Sequence, residues 1–326
     1  MYKLKRFYNQ NKKAIWQVIL VIALIIAIIQ VLNYFAKRSN IIKNNNDNVV
    51  SSNSYENYIN DNLNSVYIQD DQSIISGSNI NSTTLERNTG LIDEFFKKCN
   101  EQNLEEAYNM LTDDCKEQLY SNIDSFKNNY YSKLFDGSNK SIKVEALTVN
   151  TYRVTIKEDM LATGKTNNEN VKQDYITVER LDSGEYKLNI NGYIGKEEIN
   201  KSRTNDNIKI TVKNKESFME NEVYEIEIEN NSENEILLDR MLNPETIYLQ
   251  DENELKYPAY NTELTRQQLT IGVKEKKVIY IKFYSRFSTT KNIEALVFSD
   301  VVLDNEEYIN TESKDSYSTT KFIVSI

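Results

Sequence analysis

The chain has 326 residues, no histidine, two cysteines and a formal net charge of −10. Without imidazole, Ser-His-Asp and Cys-His catalysis, the common zinc sites and the usual neutral-pH proton shuttle are excluded. Seven of the 39 Lys+Arg lie in residues 1–38, which hold no acid, so residues 39–326 carry 32 basic against 49 acidic residues, about −17, a balance that disfavours nucleic acid.

Residues 1–13 form a short basic head. Ala14 to Ala36 then contains no charged side chain. As a helix, these 23 residues span roughly 34 Å, enough to cross the hydrocarbon layer. Trp16 and Tyr34 stand near its two ends, where amphipathic rings prefer the interface. Lys3, Lys5, Arg6, Lys12 and Lys13 precede the run, and only Lys37, Arg38 and Lys43 follow closely. That bias predicts an N-terminus in the cytoplasm and a body outside it. The apolar core is longer than a cleaved signal peptide needs and ends without an Ala-x-Ala site, so a retained signal-anchor in the cell membrane is expected.

Residues 37–88 are rich in Asn, Ser and Asp and lack a sustained period, which predicts a disordered tether. Two apolar patches interrupt it, Val66-Tyr67-Ile68 and Ile74-Ile75; docking on the body and docking on a partner are both open readings.

From Thr89, placed as an N-cap, the pattern turns helical. Leu91, Ile92, Phe95, Phe96 and Cys99 share a stripe. Leu104, Ala107, Tyr108 and Leu111 form a second, and Thr112-Asp113-Asp114 opens a helix carrying Cys115 and Leu119. Phe126, Tyr130, Tyr131 and Leu134 mark a third helical element. Asp136-Gly137 ends the region. Cys99 and Cys115 have two readings, a disulfide outside the membrane or burial as small hydrophobes.

Period-two runs follow: Val144, Ala146 and Thr148; Tyr152, Val154 and Ile156; Ile176 and Val178; Tyr186, Leu188 and Ile190. Leu181 to Glu185 is a hairpin turn, and Gly164 to Asn168 another turn. Three helices before about four antiparallel strands predict an α+β cone. This order, with the stretch FFKKCNEQNLEEAYNMLTDDCKEQ, resembles the opening of the NTF2-like (cystatin-like) superfamily over residues 89–198. Some members of that family place an acid and a tyrosine in the cone pocket to move protons at carbon. By that resemblance Asp93, Glu94, Asp113 or Asp114 would supply the acid and Tyr108, Tyr130 or Tyr131 the phenol. Asp113 and Asp114 have the simpler account of acids in a first helical turn.

The polar stretch Glu197 to Asn207 reads as a linker. Residues 205–326 carry short alternating runs: Ile208, Ile210 and Val212; Tyr224, Ile226 and Ile228; then 247–249, 269–271, 278–283, 295–298 and 322–324. About seven strands predict an all-β sandwich. The strand–Asn230-Asn231-Ser232–strand pattern resembles bacterial immunoglobulin-like modules, without a Cys-Trp-Cys signature. The whole layout is similar to surface proteins of low-GC Gram-positive bacteria and to bitopic components of conjugative secretion systems.

The expected fold is therefore an N-terminal transmembrane helix, an NTF2-like α+β cone and an immunoglobulin-like sandwich. No catalytic, metal-ligating or cofactor-binding residues are identified; Asp70-Asp71 and Asp113-Asp114 lack a calcium-loop spacing. The expected function is a non-enzymatic, membrane-anchored extracytoplasmic scaffold or adaptor with protein partners, in a conjugative or envelope-spanning assembly. The alternative is a membrane-tethered small-ligand-binding protein or lyase/isomerase. The two diverge at the interior of the first domain, which is either filled or holds a pocket with an acid and a tyrosine about 3 Å apart.

Overall fold

The first helix, α1 (Ser82–Asn100), starts well before its apolar stripe. Asn81 is its N-cap, with its side chain accepting from the Thr83 amide at 2.9 Å. An uncapped helix end leaves backbone donors without partners, so a good capping side chain eight residues upstream displaces Thr89 from that role. Thr89 sits inside the helix and donates its hydroxyl to the Leu85 carbonyl at 2.7 Å. The computed structural model describes residues 65–67, 73–75, 77, 79–158, 171–243 and 245–326. All of them fall in one unit, Ile59–Ile326. The apolar run 14–36, the head before it, most of the expected tether and the Gly164–Asn168 turn lie outside the described residues.

After α1 the helical region is broken into short pieces: α2 (Leu104–Asn109), α3 (Asp113–Leu119), α4 (Ile123–Phe126), a π-helical turn at Lys127–Tyr131 and α5 (Ser132–Phe135). Polar caps set two of these starts, because Thr112 accepts from the Cys115 amide and Asn122 from the Ser125 amide. These pieces lie on a sheet of β1 (Ser65–Tyr67), β2 (Lys140–Ala146), β3 (Thr151–Glu158), β4 (Lys172–Arg180) and β5 (Tyr186–Asn189), in that order. Strand β1 runs parallel to β2 and the other pairs are antiparallel. Both apolar patches of the tether reach the body: Val66 and Tyr67 lie in β1, and the Ile74 and Ile75 amides donate to Ala146 and Leu147 carbonyls.

The stretch 197–207, read as a linker, is strand and turn. It lies in β6 (Tyr193–Asn205), paired with β7 (Ile208–Phe218) through Asp206-Asn207, both at positive φ. A two-residue turn with two left-handed positions matches strand twist, which Asp and Asn tolerate. The register carries the hairpin through two cores. Tyr193 and Phe218 join the helix-covered core, and Ile208, Ile210 and Val212 join the second.

Further strands are β8 (Glu222–Asn230), β9 (Ile236–Leu237), β10 (Ile247–Asp251), β11 (Lys256–Pro258), β12 (Thr270–Ile271), β13 (Lys276–Phe283), β14 (Ile293–Val301) and β15 (Thr320–Ser325). Two short helices, α6 (Arg266–Leu269) and α7 (Asn305–Asn310), interrupt them. The sheets run β13-β8-β7-β6, β11-β10-β14-β15 and β9-β12.

The expected fold class is corrected by this arrangement. Strand exceeds helix, 42% to 26%, and four sheets replace a three-helix cone followed by a two-sheet sandwich. The physical reason is pairing over distance: β6 leaves the first half of the chain to found a sheet in the second. No described helix is long and apolar enough to cross a membrane.

Candidate functional site

The helix-covered core contains an acid–phenol pair, Tyr130 with Asp174, of the kind a proton-transfer site would need; Tyr193 with Glu216 is another among the described residues. Strand β4 alternates, so Asp174 faces inward with Ile176 and Val178. The π-helical turn at 127–131 inserts one residue per turn relative to α-helix and turns Tyr130 toward the sheet. The Tyr130 hydroxyl donates to Asp174 Oδ2 at 2.7 Å. The Tyr175 amide donates to Oδ1 at 2.7 Å, and the Asn191 and Gly192 amides also face the carboxylate. Asn191 and Gly192 are both at positive φ, the turn geometry that aims successive amides at one point.

Burial dominates the electrostatics. It pushes the Asp174 carboxyl up to about 6, with the Tyr130 hydroxyl and the surrounding amides pulling it back. The Tyr130 phenol is pushed well above its ordinary value, first by burial and then by the Asp174 charge. Tyr120 is also raised by burial, and its hydroxyl, near Asn191, has no hydrogen-bond partner among the described residues.

Aromatic rings cover this pair on the side toward the helices. Phe126 stacks on Tyr130 with centroids 5.5 Å apart, and Phe95 and Tyr120 close on the same ring at 6.0 Å. A concavity lies elsewhere among the described residues. It is an open depression lined by Asp304, Glu306, Glu307, Asn310 and Thr311. Thus a buried acid–phenol pair and close ring packing occur together.

The acids that the resemblance pointed to are not at the pair. Asp93 is buried on α1, Glu94 is exposed, and Asp113 and Asp114 occupy the first turn of α3. Tyr108 donates its hydroxyl to the Tyr120 carbonyl at 2.8 Å, and Tyr131 stacks on Phe135 at 5.0 Å. Of Tyr108, Tyr130 and Tyr131, it is Tyr130 that meets a buried acid. Sequence reasoning missed Asp174, although an acid on the same parity as Ile176 and Val178 was the available signal. Cys99 and Cys115 are buried free thiols. Burial pushes Cys115 up to about 12 and Cys99 well above its ordinary value.

A second polar cluster lies in the other core. Lys291 Nζ meets Glu222 Oε1 at 2.8 Å, Ser285 donates to Glu222 Oε2 at 3.0 Å, and Lys291 also reaches the Ser285 hydroxyl. Ser285 is 0% exposed, so no substrate reaches it, and the cluster fastens the loop 284–292 to β8. Among the described residues, no group of three or more Cys, Asp or Glu is placed to hold a metal ion.

The outer face of β13 is the opposite case, with apolar groups in water. Tyr280 is 64% exposed, Tyr284 52% and Val278 43%, and Tyr260 stacks on Tyr284 with centroids 3.5 Å apart. No family model, curated protein or solved structure matches this chain.

Proposed function

We propose that this chain is a non-enzymatic recognition or scaffold protein, anchored in the cell membrane by residues 14–36 and presenting its folded body outside the cytoplasm. The exposed aromatic row on β13 carries the recognition part. Tyrosine supplies large, rigid contact area at low entropic cost and is enriched in binding interfaces. The anchor rests on the uncharged run and the basic head. A conjugative or envelope-spanning assembly is the setting such an anchored adaptor would suit.

Affinity capture of the full chain in mild detergent tests this reading. One or more proteins should be retained in stoichiometric amounts; recovery of the chain alone from several detergents overturns it. Protease added to intact cells should remove the body, and full protection would reverse the proposed orientation.

The Tyr130–Asp174 pair favours a second reading, a membrane-tethered small-ligand-binding protein or a lyase/isomerase. It requires Phe126 and Tyr120 to move aside. A small carbonyl compound that raises Tm for the natural chain, and not for Asp174→Asn, would establish it. The absence of any such shift across a fragment panel leaves the pair a structural one.

A further inference from the structure

Outward charges alternate in sign across β7, β8 and β13 of the sheet β13-β8-β7-β6. Lys209 on β7 pairs with Glu229 on β8 at 3.5 Å. Lys276 on β13 then pairs with Glu227 and Glu229 on β8, at 2.9 and 3.4 Å. The outward order over these three strands is therefore base, acid, base.

Strand β13 is the outermost of its sheet, and its Lys282 meets Glu263 of the flanking segment at 3.3 Å. Its outward row reads Lys276, Val278, Tyr280 and Lys282, continued by Tyr284. Inward residues Ile279, Ile281 and Phe283 are buried, so the register is fixed and the outward row cannot slip to the other face. Residues 274–287 hold five basic side chains and one acid, in a body that is otherwise strongly acidic. The far end of this edge already takes extended backbone. The Tyr260 amide donates to the Lys282 carbonyl at 2.8 Å and the Tyr284 amide to the Pro258 carbonyl at 3.0 Å. Ala259 bridges to Phe283 in antiparallel sense.

Resting on the recognition reading, we propose that the β13 edge from Lys276 to Ile281 is a docking site for an extended, acidic segment of a partner protein. That segment adds to the sheet as its next strand. Main-chain hydrogen bonds supply the affinity, and alternate side chains supply the selectivity. Directly opposed strand residues interact most, and opposite charges or apolar pairs are favourable there. The segment therefore carries acids opposite Lys276 and Lys282 and apolar residues opposite Val278 and Tyr280. This completes the alternation of sign and removes the exposed apolar row from water. An unprotected edge carrying bulky apolar groups is a known liability, which a standing partner would relieve.

The test uses the full chain in detergent micelles and two fluorescein-labelled synthetic peptides. One reads Glu-Thr-Val-Thr-Val-Thr-Glu-Thr, and the other has lysine in place of both glutamates. Anisotropy should show the acidic peptide binding at least roughly tenfold more tightly than the basic one, weakening as salt is raised. The double variant Lys276→Glu with Lys282→Glu should reverse the preference. Tyr280→Asp, at a site open to water, should abolish binding of the acidic peptide with unchanged circular dichroism.

Binding of neither peptide at millimolar concentration overturns the proposal, as does binding indifferent to all three substitutions. Binding to anionic phosphatidylglycerol vesicles that Tyr280→Asp removes, with no peptide binding, makes the occupant a lipid surface instead. Self-association that the same change removes makes it a second copy. Partners still captured by Tyr280→Asp would leave the recognition reading standing and remove this site from it.

Discussion

Asp174 shows how one residue links burial, hydrogen bonding and pH. Its carboxyl titrates near 3.8 when unfolded and at about 6 in the folded chain. A raised folded value means that the stabilising contribution is complete below the unfolded value and is lost as pH rises through about 6. The natural chain should therefore gain on the order of 2–3 kcal/mol relative to Asp174→Asn as pH falls from 7 to 4. Taking the difference between the two proteins cancels groups shifted the other way, such as Asp136 and Glu145. Denaturant titrations across that range measure it, and a flat difference would show that folding does not alter the carboxyl. Tyr130→Phe removes the hydroxyl from a buried acceptor, for a cost of about 1–3 kcal/mol, and should move the Asp174 midpoint upward. The thiols obey the same logic of burial. Cys99 and Cys115 should resist iodoacetamide in the native chain and react after unfolding. Labelling of either thiol in the native chain, or a bridged peptide without reductant, would contradict the packing described.

At the scale of elements, polar caps decide where helices begin. Thr112 accepts the Cys115 amide and donates its hydroxyl to Asn189, joining α3 to β5. Thr112→Ala should cost about 1–2 kcal/mol, measured by urea unfolding; a change below a few tenths would mean that the cap is dispensable. Such local features were largely legible in the sequence. Ile92, Phe95, Phe96 and Cys99 are buried on one helix, and Tyr152, Val154 and Ile156 on one strand, as their periods require. The cap at Asn81 was not legible, because Ser82-Thr83-Thr84 offers several competing caps and the first helical turns carry few apolar residues. Strand β6 was hidden for a different reason. Its Lys196–Asn205 portion lies at a sheet edge and is almost wholly exposed, so it shows no alternation.

At the scale of the molecule, what escaped the sequence is pairing across distance. Strand β8 meets β13 some fifty residues later, and nothing in either run names the other. The buried Glu222–Lys291 pair belongs to the same long-range class. Lys291→Ala would strand a buried carboxylate and should cost about 3–5 kcal/mol, whereas Lys291→Met with Glu222→Gln should recover much of that. Because the β6–β7 hairpin contributes side chains to both cores, calorimetry should show one unfolding transition for the described unit. The central claim is that this body acts through its outer β13 edge and not through its buried acid–phenol pair. Hydrogen–deuterium exchange of the full chain, alone and in its captured complex, separates these most directly. The account predicts slowed exchange across Lys276–Tyr284 and no change at Lys127–Tyr131 or Lys172–Val178. Protection confined to those two interior segments, with β13 unaltered, would contradict it.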